Sequence, residues 1–344
     1  MENLNLNKFI LIIIIIVPLV FTAIIASIGL IFINNRIIMV PEQFPIIQAA
    51  VAEAQPGDII LVKDKGEPYE EAVTINTDNI KLIGIGKVKP VLDGLELLED
   101  GITIGDTSGV QVSNFIIQNY LGNGIEINNS DEITVNRNMV KDNGDNGIDL
   151  NDNTRNSWIK NNIAMRNMSD GIDLDDSTNN VIKGNTATNN MRHGILSETS
   201  NNNIYKGNII KDNIVDEGIH LINSIGNTVT RNRVENNGSE GIELSDNSDL
   251  GTVKGNYVRN NSVNGILING STFSTINSNV VINNTENGIL FNDNSNNNDG
   301  FFNVALGNGN GLNTFDINDQ NITPPINNLK ANICITSYPA GLCK

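Results

Sequence analysis

Cysteine, histidine and tryptophan are nearly absent from these 344 residues, which hold two cysteines, two histidines, one tryptophan and only 5% aromatics. Cys334 and Cys343 have no histidine near them in the chain, so a four-ligand zinc site there is excluded. Two histidines and scattered methionines offer no soft-ligand cluster for copper. Basic residues are scarce as well, 22 Lys and Arg against 39 Asp and Glu, giving a net charge of -17. With no basic stripe to neutralise phosphates, nucleic acid is excluded as a partner. Beyond one short stretch near residue 50, amphipathic runs of period 3.6 are missing, and the many Asn and Gly positions oppose a helical repeat.

A composition of 39% hydrophobic and 18% charged residues is that of a globular chain with a real core. One uncharged run of 25 residues, Phe9 to Ile33, is long enough to cross a bilayer. It exceeds a usual signal-peptide core and no clear small-x-small site ends it, so we read a retained signal-anchor at 9–33 behind a tail at 1–8. Lys8 on one side and Arg36 on the other leave a slight lean toward an inside amino terminus. The expectation is a single-pass cell-membrane protein, its linker at 34–43 and everything beyond lying extracytoplasmic. In that compartment Cys334 and Cys343, nine residues apart, read as a disulfide.

The dominant signal is a repeat. The word Gly-Ile-x-apolar begins at Gly101, Gly124, Gly147, Gly171, Gly194, Gly218, Gly241, Gly265 and Gly288, in steps of 23 or 24 residues, with Ser197 the one polar fourth residue. Asparagine marches in step at Asn138, Asn162, Asn185, Asn208, Asn232, Asn256, Asn279 and Asn303, and again five residues later, from Asn143 to Asn308. Between the columns lie short apolar alternations, so each repeat holds about three brief strands separated by bends. In a strand, Ile and the apolar residue two places on share a face, so pairs such as Ile148 and Leu150 or Ile172 and Leu174 point inward and stack coil on coil. Asparagine tolerates the left-handed backbone of a sharp bend, and its amide can bond to the coils above and below, which gives the sixteen column asparagines a structural job.

This coil pattern resembles the right-handed parallel β-helix repeats of the pectin-lyase-like superfamily, including its polysaccharide-epimerase and copper-maturation accessory branches. The segment "FPIIQAAVAEAQPGDIILVKDKGEPYEEAVTINTDNIKLIGIGKVKPVLDG", Phe44 to Gly94, is similar to that superfamily's opening module. The resemblance implies an all-β solenoid over 44–318, with a capping helix at about Ile46 to Ala54 and first strands at Asp58–Val62, Ala72–Ile75 and Ile80–Ile83. It also implies a closing segment at 319–344, where "NNLKANICITSYPAGLCK" seals the far end. A cap is physically required, because the first coil would otherwise expose its core and an unpaired edge.

The x of each word points outward, forming the column Thr103, Glu126, Asp149, Asp173, Leu196, His220, Glu243, Leu267 and Leu290. Two residues on, the same face carries Asn128, Asn151, Asp175, Glu198, Ile222, Ser245, Asn269 and Asn292. With coils about 4.8 Å apart, Glu126, Asp149 and Asp173 form a ladder of like charges that repel. Three readings stay open. The face is a solvated acidic surface, or a Ca²⁺ site using Asp149, Asp173, Asp175 and Glu198, or a catalytic carboxylate pair such as Asp173 and Asp175. His220, beside Glu243, is a candidate acid or base. "DLDD" at Asp173–Asp176 and "RHGI" at Arg192–Ile195 resemble polygalacturonase-like and epimerase-like words, though no arginine-x-lysine triplet follows and no glycine leads the histidine. Lyases of the resembled superfamily abstract the proton with a basic residue beside calcium, and no Arg or Lys stands in the column, so the resemblance implies a hydrolase or epimerase rather than a lyase. Trp158 and Tyr205, on the second strand, suit core packing or sugar stacking. The expected function is binding or processing of a polysaccharide or cell-surface glycan, with a non-catalytic structural or accessory surface protein as the alternative.

Overall fold

The structure is a computed structural model that describes residues 35–292, 294–309, 311–321 and 326–343. The run at 9–33 lies outside the described residues, and among those residues no helix is long and apolar enough to cross a membrane. Over the described residues the chain winds as a parallel solenoid of three sheets, with 13, 11 and 12 strands. Each full coil contributes one strand to each sheet, as Trp158–Lys160, Ile163–Met165 and Ile172–Leu174 do. Strands of three or four residues suffice because, except at the two ends of each sheet, each is paired on both sides by the coils above and below.

The register follows the repeat. Ile159, Ile182, Tyr205, Val229, Val253 and Ile276 are laddered partners in the first sheet, and Ile125, Ile148, Ile172, Ile195, Ile219 and Ile242 in the third. All are fully buried, so the inward pairs read from the sequence make one continuous core. Tyr205 belongs to that core, whereas Trp158, at the neighbouring position of the same sheet, is 43% exposed on the outside. The glycine of each word is a packing requirement. A methyl group on Gly171 would sit 2.7 Å from the carbonyl oxygen of Gly194 and from the Ala187 side chain.

The asparagine columns are buried ladders. Asn185 donates from its backbone N–H and its Nδ2 to Oδ1 of Asn208, one coil on, and its own Oδ1 accepts the same two bonds from Asn162. The left-handed backbone falls elsewhere, on the residue just before each column: Arg137, Asn161, Gly184, Gly207, Arg231, Gly255, Ser278 and Phe302 all have positive φ. The column asparagines therefore satisfy the backbone of the bend, and the preceding residue makes the turn.

At the start, the cap is the helix Ile47–Ala52, which buries Ile47, Ala50 and Val51. Before it, Ile37–Val40, inside the stretch read as a linker, is the first strand and pairs with Ile59–Lys63. At the far end Asn328–Lys330, Ile333–Cys334 and Ser337–Tyr338 add a last coil, one strand to each sheet. The Cα atoms of Cys334 and Cys343 lie 5.0 Å apart, within disulfide reach.

Candidate functional site

The third sheet positions the outward column as the repeat predicts: Glu126, Asp149 and Asp173 are partners on successive coils, as are Leu196, His220, Glu243, Leu267 and Leu290. The column continues through Asn318 to Tyr338. It is not a solvated surface. Asp149 is 6% exposed and Glu243 7%, because a second polar column walls it in.

That second column is the residue just before each word glycine: Asp100, Asn123, Asn146, Asp170, His193, Glu217, Glu240, Asn264 and Asn287. It is hydrogen-bonded along its length. Backbone N–H groups of Asn123, Asn146, Asp170 and His193 each donate to the side-chain oxygen one coil back. It also reaches sideways, with Asn123 Nδ2 donating to Asp149 Oδ2 at 3.1 Å and Asn146 Nδ2 to Asp173 Oδ2 at 3.3 Å. Sequence reasoning missed this column although it obeys the same period, because polar residues beside a bend read as turn chemistry.

Its electrostatics divide the face in two. Among the described residues Oδ1 of Asp149 and Oδ1 of Asp173 are buried without a hydrogen bond. Burial, then the Glu126 charge, pushes Asp149 up to about 7, despite hydrogen bonds from Asn151 and Asn123 that act the other way. Burial, followed by the charges of Asp149 and Asp170, raises Asp173 well above the usual carboxylate range. Asp175 and Glu198 pair by a bridge at the next outward position and are exposed, so the Asp173–Asp175 couple has one covered and one solvated member.

Two coils further, the only two histidines of the chain meet, their ring centroids 5.5 Å apart. His193 Nδ1 is 2.8 Å from Asp170 Oδ1 and its Nε2 is 3.0 Å from Glu217 Oε2. His220 Nδ1 is 3.4 Å from the same Glu217 oxygen, and its Nε2 is 2.9 Å from Ser245 Oγ and 3.9 Å from Glu243. Burial alone lowers His193, but the Asp170 and Glu217 carboxylates outweigh it and push the imidazole up to about 9. Burial likewise raises Glu217, and the two histidines overcome it and hold the group well below the usual carboxylate range. Glu243, with burial the leading cause, rises to about 7. Among the described residues the three-membered groups whose ligand atoms lie within 4.8 Å of one another are His193, Glu217 and His220, and Glu217, Glu240 and Glu243. Asp149, Asp173, Asp175 and Glu198 form no such group.

At the closing end of the column Tyr338 stacks on Phe315, centroids 5.8 Å apart, beside an open pocket of about 300 Å³ lined by Asn313, Asn318 and Gln320.

Among solved structures the fold is similar to the A-module of mannuronan C-5 epimerase AlgE4 from Azotobacter vinelandii, with 16% identity, 83% of this chain and 95% of that one covered, and a TM-score of 0.62. It is also similar to the catalytic unit of a GH87 alpha-1,3-glucanase from Streptomyces thermodiastaticus, with 15% identity, coverage of 85% and 66%, and a TM-score of 0.62. Tailspike protein 2 of Escherichia coli O157:H7 bacteriophage CAB120 matches at 15% identity over 72% of this chain and 38% of that one, with a TM-score of 0.53. At these identities the likeness is one of fold. No curated protein matches the sequence. Residues 100–262 and 152–305 match the family model described as a right handed beta helix region, and these matches together span more than half of the chain. The chain belongs to the right-handed β-helix family.

Proposed function

We propose that this protein binds polysaccharide along the outer face of its third sheet and processes it with Asp149 and Asp173 as an acid–base pair. The observation that carries the reading is the stacking of these two covered carboxyls in register on adjacent coils, each with an oxygen that makes no hydrogen bond within the described residues. Strand neighbours lie about 4.8 Å apart, close to the roughly 5–5.5 Å carboxyl separation of retaining glycosidases. One proton shared between them leaves one group able to donate and the other able to accept or attack.

The rest of the face suits a long ligand. From Asp173 to Tyr338 the column takes seven coil steps, or about 34 Å at strand spacing. Leu196, Leu267 and Leu290 give it apolar floor, and the Phe315–Tyr338 stack gives it an aromatic end of the kind that sugar rings pack against. Similar folds occur in a mannuronan C-5 epimerase and an alpha-1,3-glucanase, which supports the substrate class. In the same proposal the 9–33 run anchors the chain, the solenoid faces outward and Cys334–Cys343 is oxidised. A fragment beginning at Asn35, screened by affinity electrophoresis on a panel of neutral and uronic polysaccharides, tests the binding. Retardation by at least one glycan that Tyr338→Ala weakens supports it, and free migration in all of them contradicts it. A protein that is only structural would not be retarded.

A further inference from the structure

We propose that His193, Glu217 and His220 form a binding site for a divalent transition-metal cation of the zinc type. The site is separate from the Asp149–Asp173 pair and does not depend on the glycan reading.

The donors fit by type, distance and support. Two imidazole nitrogens and one carboxylate oxygen are a set that Zn²⁺ takes, usually leaving a further position open, whereas hard Ca²⁺ prefers oxygen alone. For metal–ligand bonds of about 2.0–2.1 Å, the edge of a tetrahedron is roughly 3.3 Å long. The observed edges from Glu217 Oε2 are 3.0 Å to His193 Nε2 and 3.4 Å to His220 Nδ1, and all three atoms lie within 4.8 Å of one another.

A metal-ligating histidine normally has its other ring nitrogen held by a carboxylate or another polar group, which fixes the ring and the tautomer. Both rings meet that condition here. Asp170 holds Nδ1 of His193 at 2.8 Å, and Ser245 Oγ holds Nε2 of His220 at 2.9 Å. The nitrogen this leaves on His220, Nδ1, is buried without a hydrogen bond among the described residues and faces Glu217. At 3.4 Å that nitrogen stands at about the edge length a tetrahedral ion would set between it and Glu217 Oε2.

Position within the repeat adds an independent argument. His193 and Glu217 are successive members of the walling column, and His220 stands in the outward column three residues after Glu217. The only two histidines of the chain therefore come together through two different columns. Glu217 and His220 keep 13% and 14% of their side chains exposed, which leaves an approach from solvent, and Glu240 and Glu243 bring further oxygens within 4.8 Å of Glu217.

The test is a calorimetric titration of the metal-stripped full chain with ZnCl₂ at fixed pH, repeated with CoCl₂ under visible spectroscopy. One ion per chain is expected, with Co²⁺ showing the intense visible bands of a tetrahedral site and excess CaCl₂ leaving binding unchanged. His193→Ala and Glu217→Gln should each weaken Zn²⁺ by 100-fold or more, and Ser245→Ala, which acts only through His220, by about 10- to 100-fold. Melting is followed in every variant. If His193→Ala unfolds, Ser245→Ala and His220→Asn carry the test. Absence of saturable Zn²⁺ binding, or affinity unchanged in a folded His193, His220 or Glu217 variant, overturns the proposal.

Discussion

Inside the solenoid Tyr205 donates its hydroxyl hydrogen to Ser197 Oγ at 2.6 Å, which accounts for the one polar fourth residue among the nine Gly-Ile words. Both side chains are fully buried, so each hydroxyl needs the other. We expect Ser197→Ala to cost about 1–3 kcal/mol by leaving the Tyr205 hydroxyl unpaired. Ser197→Ala combined with Tyr205→Phe should recover most of that loss. Urea unfolding of the four proteins measures it, and additive losses would contradict the pairing.

The asparagine ladder gives a larger effect. Asn185→Ala deprives the Asn162 backbone N–H of its acceptor and the Ile159 carbonyl of the Nδ2 donor 2.8 Å away, both in buried surroundings. A loss of about 2–4 kcal/mol is expected. Asn161→Gly, at the positive-φ position one coil back, should change stability little. If Asn161→Gly destabilises as much as Asn185→Ala, the division of labour between turn residue and ladder residue is wrong.

Much of this was legible in the sequence. Ile148, Leu150, Ile172 and Leu174 declare the inward face, because a period of 23 or 24 with alternation inside it admits one register. The strand Ile37–Val40 was not, since it precedes the repeat and has no copy to align with. Nor was the site. Alternation says that Asp149 and Asp173 point away from the core, but burial depends on what stands beside them, here Asn123 and Asn146 from the bend. His193 and His220 sit in different columns, so no single periodic pattern pairs them. The Ca²⁺ expectation at Asp149, Asp173, Asp175 and Glu198 rested on a shared face, and the structure separates two covered carboxyls from two exposed ones.

The pH dependence has a definite sign. Asp149 rises from 3.8 to about 7 on folding, so the native state binds the proton more tightly than the unfolded chain does. Its contribution is fully present below about pH 4, declines as pH rises to about 7 and is gone above that, a span of up to about 4 kcal/mol. Asp149→Asn should therefore gain on the parent as pH rises. The difference in melting temperature between the two proteins, followed from pH 4 to 8, checks it, and a constant difference would refute the burial of that carboxyl.

Calcium and protons should compete for the same two groups. At pH 8, above the Asp149 value of about 7, we expect millimolar CaCl₂ to raise the melting temperature, and at pH 5 to do so far less. Asp149→Asn with Asp173→Asn should abolish the rise at pH 8. A rise of equal size in the double variant would place any calcium elsewhere.

The most direct test of the central claim is product analysis. The fragment from Asn35 and its Asp149→Asn/Asp173→Asn form are incubated with each retained polysaccharide, and products are resolved by mass spectrometry and proton NMR. The account predicts shortened or epimerised chains with the parent, and a loss of turnover of 100-fold or more with a double variant that stays folded and still binds. Unaltered polysaccharide after incubation with the parent, or equal turnover by the double variant, would contradict it.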